Sequence, residues 1–171
     1  MKKIVSILVL LVTLVSCQEE VSFNDPSFEG YKDNVLWRAK GTEAVYTPAD
    51  STLIIKAYRG LELVTLKAYP ILTATDGTNF YFENATFTLG ETNDVTAAYQ
   101  IPENGINQYF ETGEDIGVGE FVLENVVNQK LGTISGRYRF DAPEKDDTSD
   151  FPASVNFQYG VFYQIPIYIA Q

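Results

Sequence analysis

The segment Thr133–Asp141, TISGRYRFD, has the two-residue period of a strand with one buried face. From Ile134 onward its even positions are apolar or glycine, and its odd positions are polar or charged. We expect Tyr138 and Phe140 to face a core. Arg137 and Arg139 should face solvent on the opposite side of the same strand.

The same period continues on both sides of this segment. Gly119–Val127 precedes it and connects through turn-forming residues, which predicts a hairpin. After it, Val155, Phe157, Tyr159 and Val161 form the expected inward row of the last strand. Upstream, Ser51–Tyr58 and Leu61–Tyr69 flank Arg59-Gly60 as a second hairpin. Further strands are expected at 36–46 (with Trp37), 79–89, 95–101 and 107–111.

Eight or nine short strands with no convincing helix indicate an all-β fold. We predict an antiparallel β-sandwich, with an up-and-down β-barrel as the alternative. The length of 171 residues and the absence of internal repeats indicate one domain, at 35–171. A signal peptide at 1–16 and a short tether at 17–34 are expected to precede it, with Val21, Phe23 and Phe28 as residues that could pair part of the tether with the domain as an edge strand.

Composition excludes several classes of function. The chain has no histidine, which removes Ser-His-Asp catalysis and His-ligated metal centres. Its single cysteine cannot form an intrachain disulfide or a Cys₄ zinc site. The net charge of −11 argues against nucleic acid as a partner.

The N-terminus has the features of an export signal. Lys2 and Lys3 precede the uncharged stretch 4–16, IVSILVLLVTLVS, which spans about 20 Å as a helix and is too short to cross a bilayer. Leu14-Val15-Ser16-Cys17 resembles the bacterial lipobox. That resemblance implies that Cys17 is acylated after cleavage before it.

Acylation would attach the protein to a membrane without any protein surface touching lipid. Each buried CH₂ contributes about 0.8 kcal/mol, so two or three chains hold firmly. Cleavage removes Lys2 and Lys3 and leaves ten basic against 23 acidic residues, a net charge of −13 that anionic headgroups repel. Gln18-Glu19-Glu20 resembles the surface-export signal of Bacteroidetes lipoproteins, although a solvated acidic tether explains it equally well. We expect an outer-membrane lipoprotein, exposed on the cell surface.

Two elements of the domain carry a resemblance to a known family. They are Thr133–Phe140 and the closing element Gly160-Val161-Phe162. With the tryptophan strand and the hairpin around LIIKAYRGLELVTL, their order resembles that of small Bacteroidetes lipoproteins known only as a domain of unknown function. The resemblance implies a location and a fold, and it implies no catalytic residue.

Two acidic groups suggest calcium, whose ligands are oxygens. One comprises Glu144, Asp146, Asp147 and Asp150, and the other comprises Glu111, Glu114 and Asp115 around Gly113. Neither has the alternating ligands and the glycine of an EF-hand loop. We interpret both as solvated loops, and we predict no metal and no cofactor.

Aromatic side chains and one serine hydroxyl are better candidates for functional sites than these acidic groups. Tyrosines near turns can stack on sugars or anchor peptides, although rings that cover sheet edges are the commoner case. The candidates are Tyr58, Tyr69, Tyr81, Tyr109 and Tyr163. Asp50-Ser51-Thr52 resembles the O-glycosylation site of Bacteroidetes exported proteins, which makes Ser51 a candidate acceptor.

These observations predict a lipid-anchored envelope protein with a binding or structural role and no catalysis. An envelope protein, a peptide or a glycan would be its partner. The alternative is an enzyme on carbohydrate or peptidoglycan that uses two of the 23 carboxylates, although nothing in the sequence fixes their separation. The two hypotheses differ in what they require of the fold. Catalysis needs two oriented carboxylates in a groove, whereas binding needs exposed rings on a sheet face.

Overall fold

The computed structural model describes residues 27–74, 80–103, 106–126, 130–145 and 153–170. Within these ranges the chain forms strands and turns and no helix. The strands are β1 Ser27–Lys32, β2 Val35–Arg38, β3 Gly41–Thr47, β4 Thr52–Arg59, β5 Glu62–Ala68, β6 Leu72–Ala74, β7 Phe80–Phe82, β8 Ala85–Leu89, β9 Thr96–Glu103, β10 Ile106–Glu111, β11 Val118–Leu123, β12 Thr133–Pro143 and β13 Ser154–Ile169. The all-β prediction is confirmed.

The strands form one large curled sheet whose order is β10-β9-β5-β4-β3-β13-β12-β11-β8, with β1 and β2 added beside β13. β6 and β7 pair separately. Adjacent strands are antiparallel except β13 and β3, which run parallel over Ile167–Ile169 and Ala44–Tyr46. The sheet curls around one core, an arrangement compatible with a sandwich or a half-barrel.

The predicted hairpins form as expected. β4 and β5 pair with Arg59 opposite Glu62, and Gly60 between them has a φ of +63°, which glycine adopts without strain. β11 pairs with β12, as predicted. β9 also pairs with β10, which were predicted only as two separate strands.

Three predicted elements differ from the structure. The stretch 36–46 divides into β2, which pairs with β1, and β3, which pairs with β4. The stretch 79–89 divides in the same way, because β7 pairs with β6 and β8 pairs with β11. Ser27–Lys32, assigned above to the tether, forms β1 between β2 and β13.

The side chains that point inward from the curled sheet form one core. Small and branched residues on β4 and β5 contribute Ile55, Ala57, Val64 and Leu66, all fully buried. Rings from β1, β2, β12 and β13 complete it. Trp37 contacts Phe157 with ring centroids 5.9 Å apart, and Tyr99 of β9 contacts the same ring at 5.5 Å. These ring contacts tie the strands around β13 to β9, across the core.

In the part of the chain that the structure describes, no helix is long and apolar enough to cross a membrane.

Candidate functional site

A β-bulge in β13 presents Tyr159 to solvent. Gln158 and Tyr159 together lie opposite the single residue Arg139 of β12, because Tyr138 pairs with Gly160 and Phe140 with Phe157. Tyr159 has a φ of +51° and is 80% exposed. A left-handed conformation is unfavourable for an aromatic residue, and bulges of this kind re-aim side chains at functional sites.

The bulge corrects one prediction about β13. The expected inward row was Val155, Phe157, Tyr159 and Val161, but only its first half is buried. After the bulge, Gly160 and Phe162 point inward while Val161 is exposed. The extra residue shifts the side-chain alternation by one position, which moves the two predicted core residues to the outer face.

Tyr31 of β1 lies beside Tyr159. The ring centroids are 6.3 Å apart and the ring planes meet at 89°, an edge-to-face contact. Tyr31 is 46% exposed. We call these two residues the tyrosine pair.

The turn after β1 is fastened next to the pair. Asp33 and Asn34 have φ values of +49° and +66°, as in a type I′ hairpin turn. The Asp33 amide donates to the Asn156 carbonyl at 2.8 Å, and the Asn156 amide donates to the Asp33 carboxylate at 2.9 Å. Because both bonds join the turn to β13, the position of Tyr31 relative to Tyr159 is set before any ligand arrives.

An open cleft of about 710 Å³ adjoins the pair, with Tyr159 at its rim. A second hollow of about 430 Å³ is lined by Tyr31, Asn34, Gln158 and Tyr159, and it shares the last two residues with the cleft. The polar side chains of the main cleft are Thr88, Glu91, Arg139, Asp141, Asn156 and Gln158. Donors and acceptors therefore surround an exposed ring.

Glycine lets the backbone approach closely in one wall of the cleft. Gly90 and Gly117 have φ values of +95° and +68°. A Cβ on Gly90 would collide with the Gly117 carbonyl oxygen, and one on Gly117 would stand 2.5 Å from the Asp141 carbonyl oxygen. Neither position accommodates a side chain, so no side chain projects into the cleft from these two residues.

Two charged groups of the cleft, Arg139 and Asp141, have polar partners. Arg139 Nε lies 3.1 Å from Glu120 Oε1, and the Asn156 amide nitrogen donates to Asp141 Oδ2 at 3.1 Å. Among the described residues, no group of three or more His, Cys, Asp or Glu side chains is arranged to hold a metal ion.

Tyr138 packs directly beneath this surface. Its ring stacks on Phe28 with centroids 4.6 Å apart, and it fills the space that Gly160 leaves open. Burial, with a smaller contribution from Glu29, raises the pKa of its hydroxyl well above the ordinary value. The hydroxyl oxygen is buried and has no hydrogen-bond partner among the residues that the structure describes.

Glu62 anchors the hairpin of β1 and β2 to the other side of the core. Its Oε2 accepts a hydrogen bond from Trp37 Nε1 at 2.6 Å and another from the Tyr99 hydroxyl at 2.8 Å. Burial and the bond to Glu62 raise the pKa of Tyr99. The Lys32 ammonium lies over the Tyr99 ring, 5.2 Å from its centroid.

The sequence-predicted residues lie in different places. Cys17 lies outside the described residues, as do Asp146, Asp147 and Asp150. Ser51 is exposed on the turn between β3 and β4, with a φ of +58°. In that turn hydrogen bonds from the side chain and from the backbone amide of Thr52, the latter at 3.0 Å, lower the pKa of the Asp50 carboxyl.

The five tyrosines proposed above are not grouped into one site. Tyr58 donates to Glu43 at 3.4 Å, and Tyr109 donates to Glu111 at 3.1 Å beneath Lys145. Tyr81 is 38% exposed, and Tyr69 and Tyr163 are half-buried. Sequence reasoning missed the tyrosine pair because the alternation of β13 placed Tyr159 inward. The Asp33-Asn34 turn was the one available signal, since it predicts a hairpin that carries Tyr31.

Comparison with known proteins shows one match. Residues 24–166 match the family model DUF6252, described as a domain of unknown function. None of the curated proteins and none of the solved structures matches the chain.

Proposed function

We propose that this chain, which belongs to the DUF6252 family, is a lipid-anchored envelope protein whose β domain binds a ligand without catalysing a reaction. The observation that carries the binding role is the tyrosine pair, exposed on a sheet face beside an open cleft. Large exposed rings next to an open cleft that carries a few polar side chains are typical of binding sites.

The anchoring half of the proposal depends on the sequence. The apolar stretch 4–16 ends at Cys17, the chain's one thiol, in a lipobox-like context. The acidic residues after it favour the outer face of the outer membrane, in a Bacteroidetes bacterium. A body of net charge −13 would stand off an anionic surface, so acyl chains would supply the attachment.

The enzyme alternative has candidate carboxylates in the same cleft. Glu91 is exposed, and Asp141 is half-buried and engaged with Asn156. A glycosidase needs one carboxyl that stays protonated and a second held opposite it. Binding is favoured because the exposed tyrosine pair beside the cleft is a feature that catalysis by two carboxylates does not require.

Anchoring is tested by expressing the full chain in a bacterium that processes lipoproteins, with an alkyne-tagged palmitate in the medium. We expect the tag on the wild-type chain and on a Ser22→Ala control, and no tag on Cys17→Ser. An untagged wild-type chain in the soluble fraction would overturn the anchor. Protease treatment of intact cells then tests surface exposure, because a periplasmic domain stays protected.

Ser51 is a proposed O-glycan acceptor, supported by its exposure at the β3–β4 turn. Intact mass of the chain purified from its own host tests this. A mass above that of the acylated polypeptide, absent in Ser51→Ala, is the expected result, and a mass without the increment contradicts it.

A further inference from the structure

We propose that the tyrosine pair and its cleft bind a single chain of an uncharged oligosaccharide. This inference rests on the proposed function and names the class of ligand.

The placement of Tyr159 opposes folding stability. An aromatic residue at a φ of +51° is strained, and its ring leaves most of its apolar surface in water. Glycine would occupy the same backbone conformation without strain. A ring held outward under these conditions is explained by a contact outside the domain.

The cleft offers the hydrogen-bonding groups that sugar hydroxyls require. Asn156 and Gln158 line the cleft together with Tyr159, and Asn34 lines the second hollow with Tyr31 and Tyr159. Each side-chain amide carries donors and an acceptor, and the Asn156 amide nitrogen already donates to Asp141. A hydroxyl also both donates and accepts, so planar amides match it in either role. The C–H face of a pyranose ring supplies the apolar surface that a tyrosine ring can cover.

Charge narrows the class to uncharged sugars. Arg139 is already paired with Glu120, and the remaining charged groups of the cleft, Glu91 and Asp141, are acidic. With a mature net charge of −13, the domain repels uronate and sulfate polymers. A neutral glycan meets no such barrier.

The backbone of this surface disfavours a peptide strand. β13 pairs with β12 on one side and with β1 on the other, so it is an inner strand with no free edge, although the bulge leaves Tyr159 out of both registers. Strand addition needs a free sheet edge. Recognition must therefore be made by ring faces and polar side chains, as for a sugar.

The angle between the two rings favours a soluble oligosaccharide chain as the ligand over the flat surface of a crystalline polysaccharide. The two planes meet at 89°, so they form no coplanar platform. One ring can stack on a sugar unit while the other presents its edge and hydroxyl. Insoluble cellulose should not retain the protein.

The test uses the full acylated chain in detergent and an array of uncharged oligosaccharides built from β-linked glucose, xylose, mannose and galactose. Oligogalacturonate serves as the charged comparison. We expect at least one neutral member to bind with a Kd on the order of 0.1–1 mM, as for a shallow, open site. Tyr159→Ala and Tyr31→Ala should each weaken that binding about tenfold.

Tyr168→Ala is the matched control, because Tyr168 is also on β13, is 66% exposed and lies outside the cleft. The control should bind as the wild type does. Equal urea midpoints for the variants show that each is folded.

Three results would overturn the inference: no neutral member binding at about 10 mM, preference for oligogalacturonate, or undiminished binding by Tyr159→Ala. None of these results would change the outcome of the palmitate test at Cys17, so failure of the glycan proposal can be distinguished from failure of the lipid anchor. Cleavage of a bound oligosaccharide would instead support the glycan and overturn the non-catalytic role.

Discussion

Replacing Gly160 by alanine tests how the core supports the site. The added Cβ would stand 2.5 Å from Tyr138 Cε1 and 2.6 Å from Cδ1 and Cζ. Carbon atoms pack at about 3.5–4.0 Å, so the ring would have to withdraw by about 1 Å. Phe28 stacks on this ring at 4.6 Å, and Phe140 and Phe157 also contact it, which leaves it little room.

We therefore expect Gly160→Ala to lower the free energy of unfolding by about 2–3 kcal/mol, in the upper range for an overpacked core. Gly41→Ala is the control, because a Cβ there meets nothing within 4 Å. It should be neutral or slightly stabilising. Urea unfolding followed by the fluorescence of Trp37, which is fully buried and is the chain's one tryptophan, measures both.

Equal midpoints for the two alanine variants would refute this reasoning. A double-mutant cycle sharpens the test, since Tyr138→Leu removes the ring atoms that the new methyl group meets. The destabilisation by Gly160→Ala should then shrink. If it persists unchanged in the Tyr138→Leu background, the cost arises in the backbone of β13 and not from the ring.

Three further predictions concern polar groups of the core. Tyr138→Phe should raise the free energy of unfolding by up to about 1 kcal/mol, because the buried hydroxyl has no partner; a clear loss of stability in urea would contradict this. Glu62→Ala should cost about 2–3 kcal/mol, because it leaves the Trp37 and Tyr99 donors without their acceptor, and an unchanged midpoint would refute it. Stability should also fall at alkaline pH, because burial and Glu111 raise the pKa of Tyr109 to about 12 and the pKa of Tyr99 is raised as well. The folded chain then keeps protons that the unfolded chain releases near pH 10. The contribution of these tyrosines to the free energy of unfolding is therefore full below about pH 10 and declines toward pH 12. Urea unfolding and tyrosinate absorbance, both measured as a function of pH, test this, and a constant urea midpoint through pH 11 would oppose it.

Local patterns in the sequence were sufficient for the strands and hairpins. The alternation at Thr133–Asp141 predicts β12 and its inward Tyr138 and Phe140, and both rings are buried. Short turns such as Arg59-Gly60 join strands that are neighbours in the chain. In both cases the deciding residues lie within a few positions of one another, so sequence reasoning reaches them.

The candidate site could not be predicted in this way. A bulge exists only relative to the strands beside it, and here two residues of β13 face one residue of β12 and one of β1. Alternation alone therefore assigned Tyr159 to the core. The parallel pairing of β13 with β3 joins residues far apart in the sequence and was likewise beyond local patterns.

The chain's residues alone thus establish an acidic, histidine-free β domain and an apolar stretch 4–16 followed by Cys17, because composition and short-range period require no partner strand. Tertiary structure decided which tyrosines reach solvent. The ring of Tyr138 needs the space above Gly160, the extra residue beside it reverses the alternation, and Tyr159 turns outward to meet Tyr31. That outcome depends on packing between three strands, which no single stretch of sequence contains.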